Sequence, residues 1–356
     1  GREAFYATST NSQNVAIGYR AGYSNTGSDV VFVGHECGYN NTGSRNTAVG
    51  HRAAMLTSTG QDNTSMGLGA LRTNTTGSYN TAFGASALFT NSTGGQNVAV
   101  GHLALNQYTG SGVVAVGNQS LQDLTTGVGN VAVGHDTGRE ITTGQYNTIV
   151  GYAALDGTSA TDADYNVAIG SGSLGSASFS SNENTCVGHN SGHNMTTGDR
   201  NVCIGTNAGD LITTGRNNIV IGREADPANA TVDDTITLGT AAINTLRCQQ
   251  TSITSLSDRR DKTNIEDLSI GLDFVNTLRP RKFTWAMREP TSLDGRTETG
   301  FIAQELQSAE GSIDYLHLVY DVNPEKLEAS QGKLIPVLVK AIQELSAKVK
   351  ELESRQ

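Results

Sequence analysis

From residue 14 to residue 222 the apolar and polar positions follow a period of about 17 rather than the 2 or 3.6 of an isolated strand or helix. Two mostly small or apolar residues precede a glycine at Gly18, Gly34, Gly50, Gly67, Gly84, Gly101, Gly117, Gly134, Gly151, Gly170, Gly188, Gly205 and Gly222. Four residues before that glycine an asparagine stands in eleven of the thirteen units, the exceptions being Val30 and Val113. A second glycine, usually after threonine as in Thr76-Gly77, follows nine or ten residues later in most intervals. The period is too short for helical-pair repeats and suits one coil of a β-solenoid, with a short strand such as Val98-Ala99-Val100 in each coil. The residue before each anchor glycine is always apolar, from Ile17 to Ile221, and predicts a ladder of buried side chains. A coil this thin has difficulty offsetting about 1 to 2 kcal/mol of backbone entropy per residue. Association of several chains would supply the missing burial.

The pattern changes near residue 257. The last hundred residues hold 14 Lys and Arg and 17 Asp and Glu but only 5 of the 42 glycines. This stretch reads as a separate, helix-rich mixed domain, with a helix around 270–277, a strand over 281–287 and a long final helix. In that helix Ile335, Leu338, Ile342, Leu345, Val349 and Leu352 are spaced 3, 4, 3, 4, 3, a heptad seam that predicts a short coiled coil. Isoleucine or valine at a with leucine at d ordinarily favours two strands, so the seam alone does not argue for three.

Composition narrows the function classes. A formal charge of -10 offers no basic surface for a phosphate backbone, which argues against nucleic acid as a partner. No apolar run reaches the roughly 18 to 20 residues of a membrane span, so no membrane insertion is expected. Cys37, Cys186, Cys203 and Cys248 lack CxxC spacing and the density of a disulfide scaffold, which fits folding in a reducing compartment. The start, "GREAFYATST", has no Met and reads as part of something longer. No cofactor and no metal site are expected, although a histidine follows the anchor glycine at His35, His51, His102, His135 and His189.

Two resemblances add to this. The repeats are similar to those of viral tail fibres and of trimeric bacterial adhesin heads, which implies a trimeric parallel β-solenoid. The segments "SDRRDKTNI" (257–265), "LDFVNTLRPRKFTW" (272–285), "GFIAQEL" (300–306) and "AIQELSAKVKELE" (341–353) resemble, in order and spacing, the intramolecular chaperone domain of phage tail spikes, the endosialidase type. That resemblance implies a domain that trimerises, assists folding of the stalk and cuts itself off before the motif serine. Carried over residue by residue, Ser257 is the nucleophile, Leu256-Ser257 the scissile bond and Lys262 the general base, with Asn264 a candidate for orienting the loop or the oxyanion. A serine hydroxyl needs a base within hydrogen-bond reach, and a lysine serves only when neutral. Burial is expected to favour the neutral amine, with Arg259 and Arg260 helping and Asp258 and Asp261 opposing. The family often has a histidine before GFIAQE, where this chain has Thr297, Glu298 and Thr299.

The combined expectation is mainly β: a solenoid stalk over 1–226, a β-rich connector over 227–256 and a self-cleaving chaperone over 257–356. The implied protein is a homotrimeric virion tail fibre or appendage, assembled in the host cytoplasm. Its expected partners are a host cell-surface receptor, with a glycan favoured, and other tail or baseplate proteins. The competing readings are a bacterial trimeric surface adhesin and a glycan-hydrolysing tail spike. The best acidic cluster for a hydrolase is Asp156, Asp162 and Asp164, where a surface loop is the favoured reading, and the repeat tyrosines, Tyr19, Tyr23, Tyr39, Tyr79, Tyr108, Tyr146, Tyr152 and Tyr165, are the candidates for stacking on sugar.

Overall fold

The structure is a computed structural model that describes residues 1–7, 12–157, 162–176, 179–240, 243, 257–286 and 294–355. It divides into two units, Gly1–Thr240 and Ala241–Gln356.

The first unit is a parallel β-solenoid. Fourteen three-residue strands, from β1 (Val15–Ile17) to β14 (Ile236–Leu238), pair in chain order and in register as one sheet. Thirteen of them end at the anchor glycines. The fourteenth continues the sheet into the stretch read as a connector, with Thr235 where most units have asparagine. That substitution preserves one rung, because Thr235 N and Oγ1 donate to Asn218 Oδ1 at 3.0 and 2.7 Å.

Each coil holds to the next on more than the strand side. On the opposite wall Gly22 N donates to Cys37 O at 2.8 Å and Leu71 N to Ala87 O at 2.9 Å. The asparagines form an internal ladder: Asn63 Nδ2 donates to Gly77 O, and Asn63 Oδ1 accepts from Asn80 N one coil later. These side chains are almost completely buried, as their paired amides permit. The anchor glycines are required where the chain leaves the strand. Gly117 has φ +140°, and a Cβ there would lie 2.0 Å from Gly134 O.

The expected ladder of buried residues before the glycine is corrected. The middle residue of each strand faces inward instead, as with Phe32, Ala48, Ala99, Ile149 and Cys203, all buried. Ile17, Phe83 and Ile221 remain 59%, 50% and 40% exposed. The interior is too narrow for large residues from both walls. In several coils an alanine in the strand is followed six residues later by a leucine in the facing turn, as with Ala82 and Leu88, Ala99 and Leu105, and Ala115 and Leu121, each leucine at positive φ. Left-handed backbone costs a residue about 1 to 2 kcal/mol, and burying leucine returns about 1.5 to 3 kcal/mol. Beside the larger strand residues a glycine stands in the turn of the same or the preceding coil: a Cβ at Gly38 would lie 2.6 Å from the Phe32 ring, and one at Gly138, in the coil before Ile149, would lie 2.9 Å from Ile149 Cδ1.

The second unit contains a 3-10 turn over Arg259–Asp261 and a short helix α1 (Leu272–Val275). The antiparallel pair β15 (Arg281–Thr284) and β16 (Thr297–Gly300) follows, then α2 (Ala303–Glu310), the small pair β17 (Val319–Tyr320) and β18 (Glu328–Ala329), and α3 (Leu334–Ser354). Phe274, Leu306, Leu316, Leu318, Leu334 and Val337 form its core. Glu344 on α3 accepts from Leu272 N at 2.8 Å and so caps α1. A Cβ at Gly271 would lie 2.5 Å from that carboxylate. Helix α3 packs through Leu334, Val337 and Ala341. Its heptad residues lie on another face and are exposed, Ile335 at 63%, Ile342 at 67% and Leu352 at 62%, with Leu338, Leu345 and Val349 also open. The single chain therefore gives the seam no partner.

Candidate functional site

Ser257 and Lys262 are five residues apart, too far for contact along an extended chain. The intervening 3-10 turn brings them together. Asp258 caps that turn by accepting from Arg260 N at 2.8 Å, and Lys262 N closes it on Arg259 O at 3.2 Å. Lys262 Nζ then donates to Ser257 Oγ at 2.6 Å. The spacing of a hydroxyl and an amine across one capped turn is local, and it needs no other chain. Asp258 as the cap was not assigned from the sequence, although an aspartate followed by a short polar turn is its ordinary signal.

Two features of the single chain bear on the electrostatic expectation. Lys262 is exposed in the single chain, so the burial expected to favour its neutral form is not present there. Arg260 is engaged with Asp258, Nη2 to Oδ2 at 2.6 Å, and that pairing holds the Asp258 carboxyl below the usual range. Its charge is thus largely compensated by a neighbour rather than directed at the amine. Asn264 lies on the next bend at φ +51°, and no hydrogen bond links it to Ser257 or Lys262. Leu256, half of the expected scissile bond, lies outside the described residues.

Residues 257–314 match the family model described as chaperone of endosialidase. No curated protein and no solved structure matches the chain. The chaperone match begins at the serine of the Ser257–Lys262 contact and ends before α3, so it includes the capped turn, α1, β15, β16 and α2. With the solenoid before it, the match points to a tail-spike-like or fibre-like protein carrying a C-terminal intramolecular chaperone region.

The other sequence candidates are distributed along the solenoid. His35 and His51 stack at 5.1 Å and Tyr19 leans on His35 at 5.2 Å. Among the described residues no group of three His, Cys, Asp or Glu is placed to hold a metal ion. Tyr23 is stacked between Tyr6 and Tyr39 at 5.3 and 4.9 Å, and Tyr146 faces Tyr165 at 5.3 Å. Both faces of the Tyr23 ring are covered, and Tyr108 is buried with its hydroxyl donating to Ser111 O. Neither ring is open for stacking on a sugar. Tyr79, Tyr152 and Tyr165 are more than half exposed. In the acidic cluster, Asp162 accepts from Thr143 Oγ1 and Asp164 from Gln145 N at 2.8 Å, which ties both to the preceding coil. Cys186 and Cys203 stand opposite each other on adjacent strands as buried free thiols. Cys248 lies outside the described residues.

Proposed function

We propose that the protein is a homotrimeric virus tail fibre or related appendage acting in host attachment, whose C-terminal region joins three chains, sets the register of the solenoids and then severs Leu256-Ser257. The observation that carries this reading is the 2.6 Å contact of Lys262 Nζ with Ser257 Oγ at the first residue of the chaperone match. The Ser257 hydroxyl can reach the carbonyl carbon of the preceding residue through a five-membered ring. A neutral Lys262 amine takes the hydroxyl proton as the O–C bond forms, and the C–N bond breaks as Ser257 N gains a proton. Water then hydrolyses the ester, leaving a carboxylate on Leu256 and a free amino group on Ser257. Because Lys262 is exposed in one chain, desolvation between chains would favour the neutral amine and couple cleavage to assembly.

Two apolar faces support self-association. One is the α3 seam. The other is the outer face of the long sheet, where the first and third residues of all fourteen strands are uncharged and none is buried. At about 4.8 Å per strand this stripe runs for roughly 60 Å, and extended apolar surface of this kind marks association sites. The number three follows from the resemblance rather than from the seam.

Denaturing intact mass of the parent and of Ser257→Ala tests the processing step. The expected result is products of 256 and 100 residues from the parent and a full-length variant. Full-length chains from both would remove the catalytic roles of Ser257 and Lys262. Light scattering of Ser257→Ala with and without Ile342→Lys tests the assembly. The expected masses are three chains without the lysine and one with it, and a monomeric Ser257→Ala protein would sink the trimer.

A further inference from the structure

Seven of the nine arginines in Gly1–Thr240 have a carboxylate within 4.0 Å: Arg2, Arg20, Arg45, Arg52, Arg139, Arg216 and Arg223. The two without one are Arg200, which is exposed, and Arg72, which is half-buried. Arg72 Nε is shielded from solvent and has no hydrogen-bond partner. A buried guanidinium N–H without an acceptor is costly, and it marks a place where an acceptor belongs.

Arg72 also lines a cleft of about 150 Å³, together with His51, Arg52, Leu68, Gly69 and Phe89. Its origin is legible in the repeat. Two residues after the anchor glycine most other coils carry a side chain, as at Arg52, Ser86 and Leu103, on left-handed backbone. Gly69 holds the same backbone at φ +64° with no side chain, which opens a notch between its neighbours. The Arg72 guanidinium lies over the Phe89 ring, 5.3 Å from its centre. Arg52 is balanced by Glu36 at 2.8 Å, while Arg72 leaves an uncompensated positive charge in a strongly acidic chain. Leu68, 60% exposed, provides an apolar rim.

We propose that this cleft is an anion site of the stalk, taking a carboxylate or phosphate group carried on a small ring such as a sugar. The guanidinium edge pairs with two oxygens of the anion, and Leu68 meets the apolar side of the ring. The inference concerns the solenoid alone and does not depend on the chaperone reading.

Calorimetric titration of the full chain with methyl glucuronide, inorganic phosphate and methyl glucoside tests it. One of the two anions should bind with about millimolar affinity, the glucoside at least tenfold more weakly, and Arg72→Gln should lose about tenfold or more. Gly69→Leu, which copies the residue that the fold accepts at Leu103, should block binding with Arg72 intact, and Arg200→Gln should change nothing. Binding of the glucuronide but not phosphate assigns the site to an acidic sugar, and the converse assigns it to a phosphate group. Equal binding of the glucoside, or anion binding untouched by both Arg72→Gln and Gly69→Leu, overturns the proposal, as does binding of neither anion.

Discussion

The asparagine ladder makes a quantitative claim at Asn201. Its Nδ2 donates to Gly215 O at 2.9 Å, and its Oδ1 accepts from Asn218 N at 3.0 Å. All three residues are buried. Asn201→Ala removes both partners at once, leaving one backbone carbonyl and one backbone N–H enclosed and unpaired. Asn218 Nδ2 keeps Val232 O at 2.8 Å and is not counted. At about 1 to 3 kcal/mol for each orphaned group the loss is about 2 to 6 kcal/mol. With a factor of ten for every 1.4 kcal/mol, local opening should become about 30-fold to 10⁴-fold more frequent. Coils of a solenoid contact only their neighbours, so the change should be confined to the coils around the substitution. Hydrogen exchange read by mass spectrometry is the assay. Peptides within 184–221 should exchange faster by that factor, and peptides within 46–84 should be unchanged. Unaltered exchange across 184–221 in a folded variant would refute the claim that these amides hold successive coils together.

Two more outcomes follow from the packing and the charges. Gly138→Leu should destabilise by overpacking against Ile149, about 1 to 3 kcal/mol, and Ile149→Ala should cost about 2 to 5 kcal/mol as a cavity. The double variant reproduces the leucine and alanine pairing of neighbouring coils, so most of the loss should be recovered in a denaturation series; strict additivity would count against complementary packing. Burial pushes the Asp156 carboxyl up to about 6, against the attraction of Arg139 Nε at 3.4 Å. An unfolded aspartate titrates near ~3.9, so between those values the folded protein binds the additional proton and stability falls as pH rises. Asp156→Asn should therefore raise the melting temperature at pH 7.5 and leave it nearly unchanged at pH 3.5, and an equal rise at both would contradict the assignment.

The solenoid was legible because its determinants are local and repeated. Each anchor glycine and each buried asparagine recurs at the coil period, and both act on the nearest coil. The orientation of the strands was harder to read. An invariably apolar position suggests a core, but Ile17 and Phe83 face outward because the interior accepts alanine opposite leucine, a choice made by the width of the coil. The fourteenth strand was hidden because Thr235 replaces the asparagine used to align the others. At the Ser257–Lys262 site the resemblance supplied the residues. The cap by Asp258 and the engagement of Arg260 depend on side-chain geometry within one turn, which spacing alone leaves open. The Arg72 cleft could not be found by motif, since it arises from a missing side chain at Gly69 beside a guanidinium whose lack of a partner shows only in three dimensions.

The outward columns also bear on the registering role proposed for the C-terminal region. Along the sheet the exposed positions alternate only among Val, Ile, Thr and a few larger residues, so a copy displaced by one coil meets nearly the same surface as a copy in register. Burial of apolar area is non-directional, and it penalises that slip very little. Packing differences between coils, such as Phe32 opposite Gly38 or the Leu88 and Ala82 pairing, point inward and do not face a neighbouring chain. The apolar sheet face therefore carries little information about register. The exposed α3 seam is only three heptads long, but a one-heptad slip there loses about a third of its apolar pairs, a far larger fraction than one coil in fourteen. In the proposed assembly a short, distinctive seam aligns what a long, uniform sheet cannot, and severing it afterwards would leave the sheets in a register they could not have chosen for themselves.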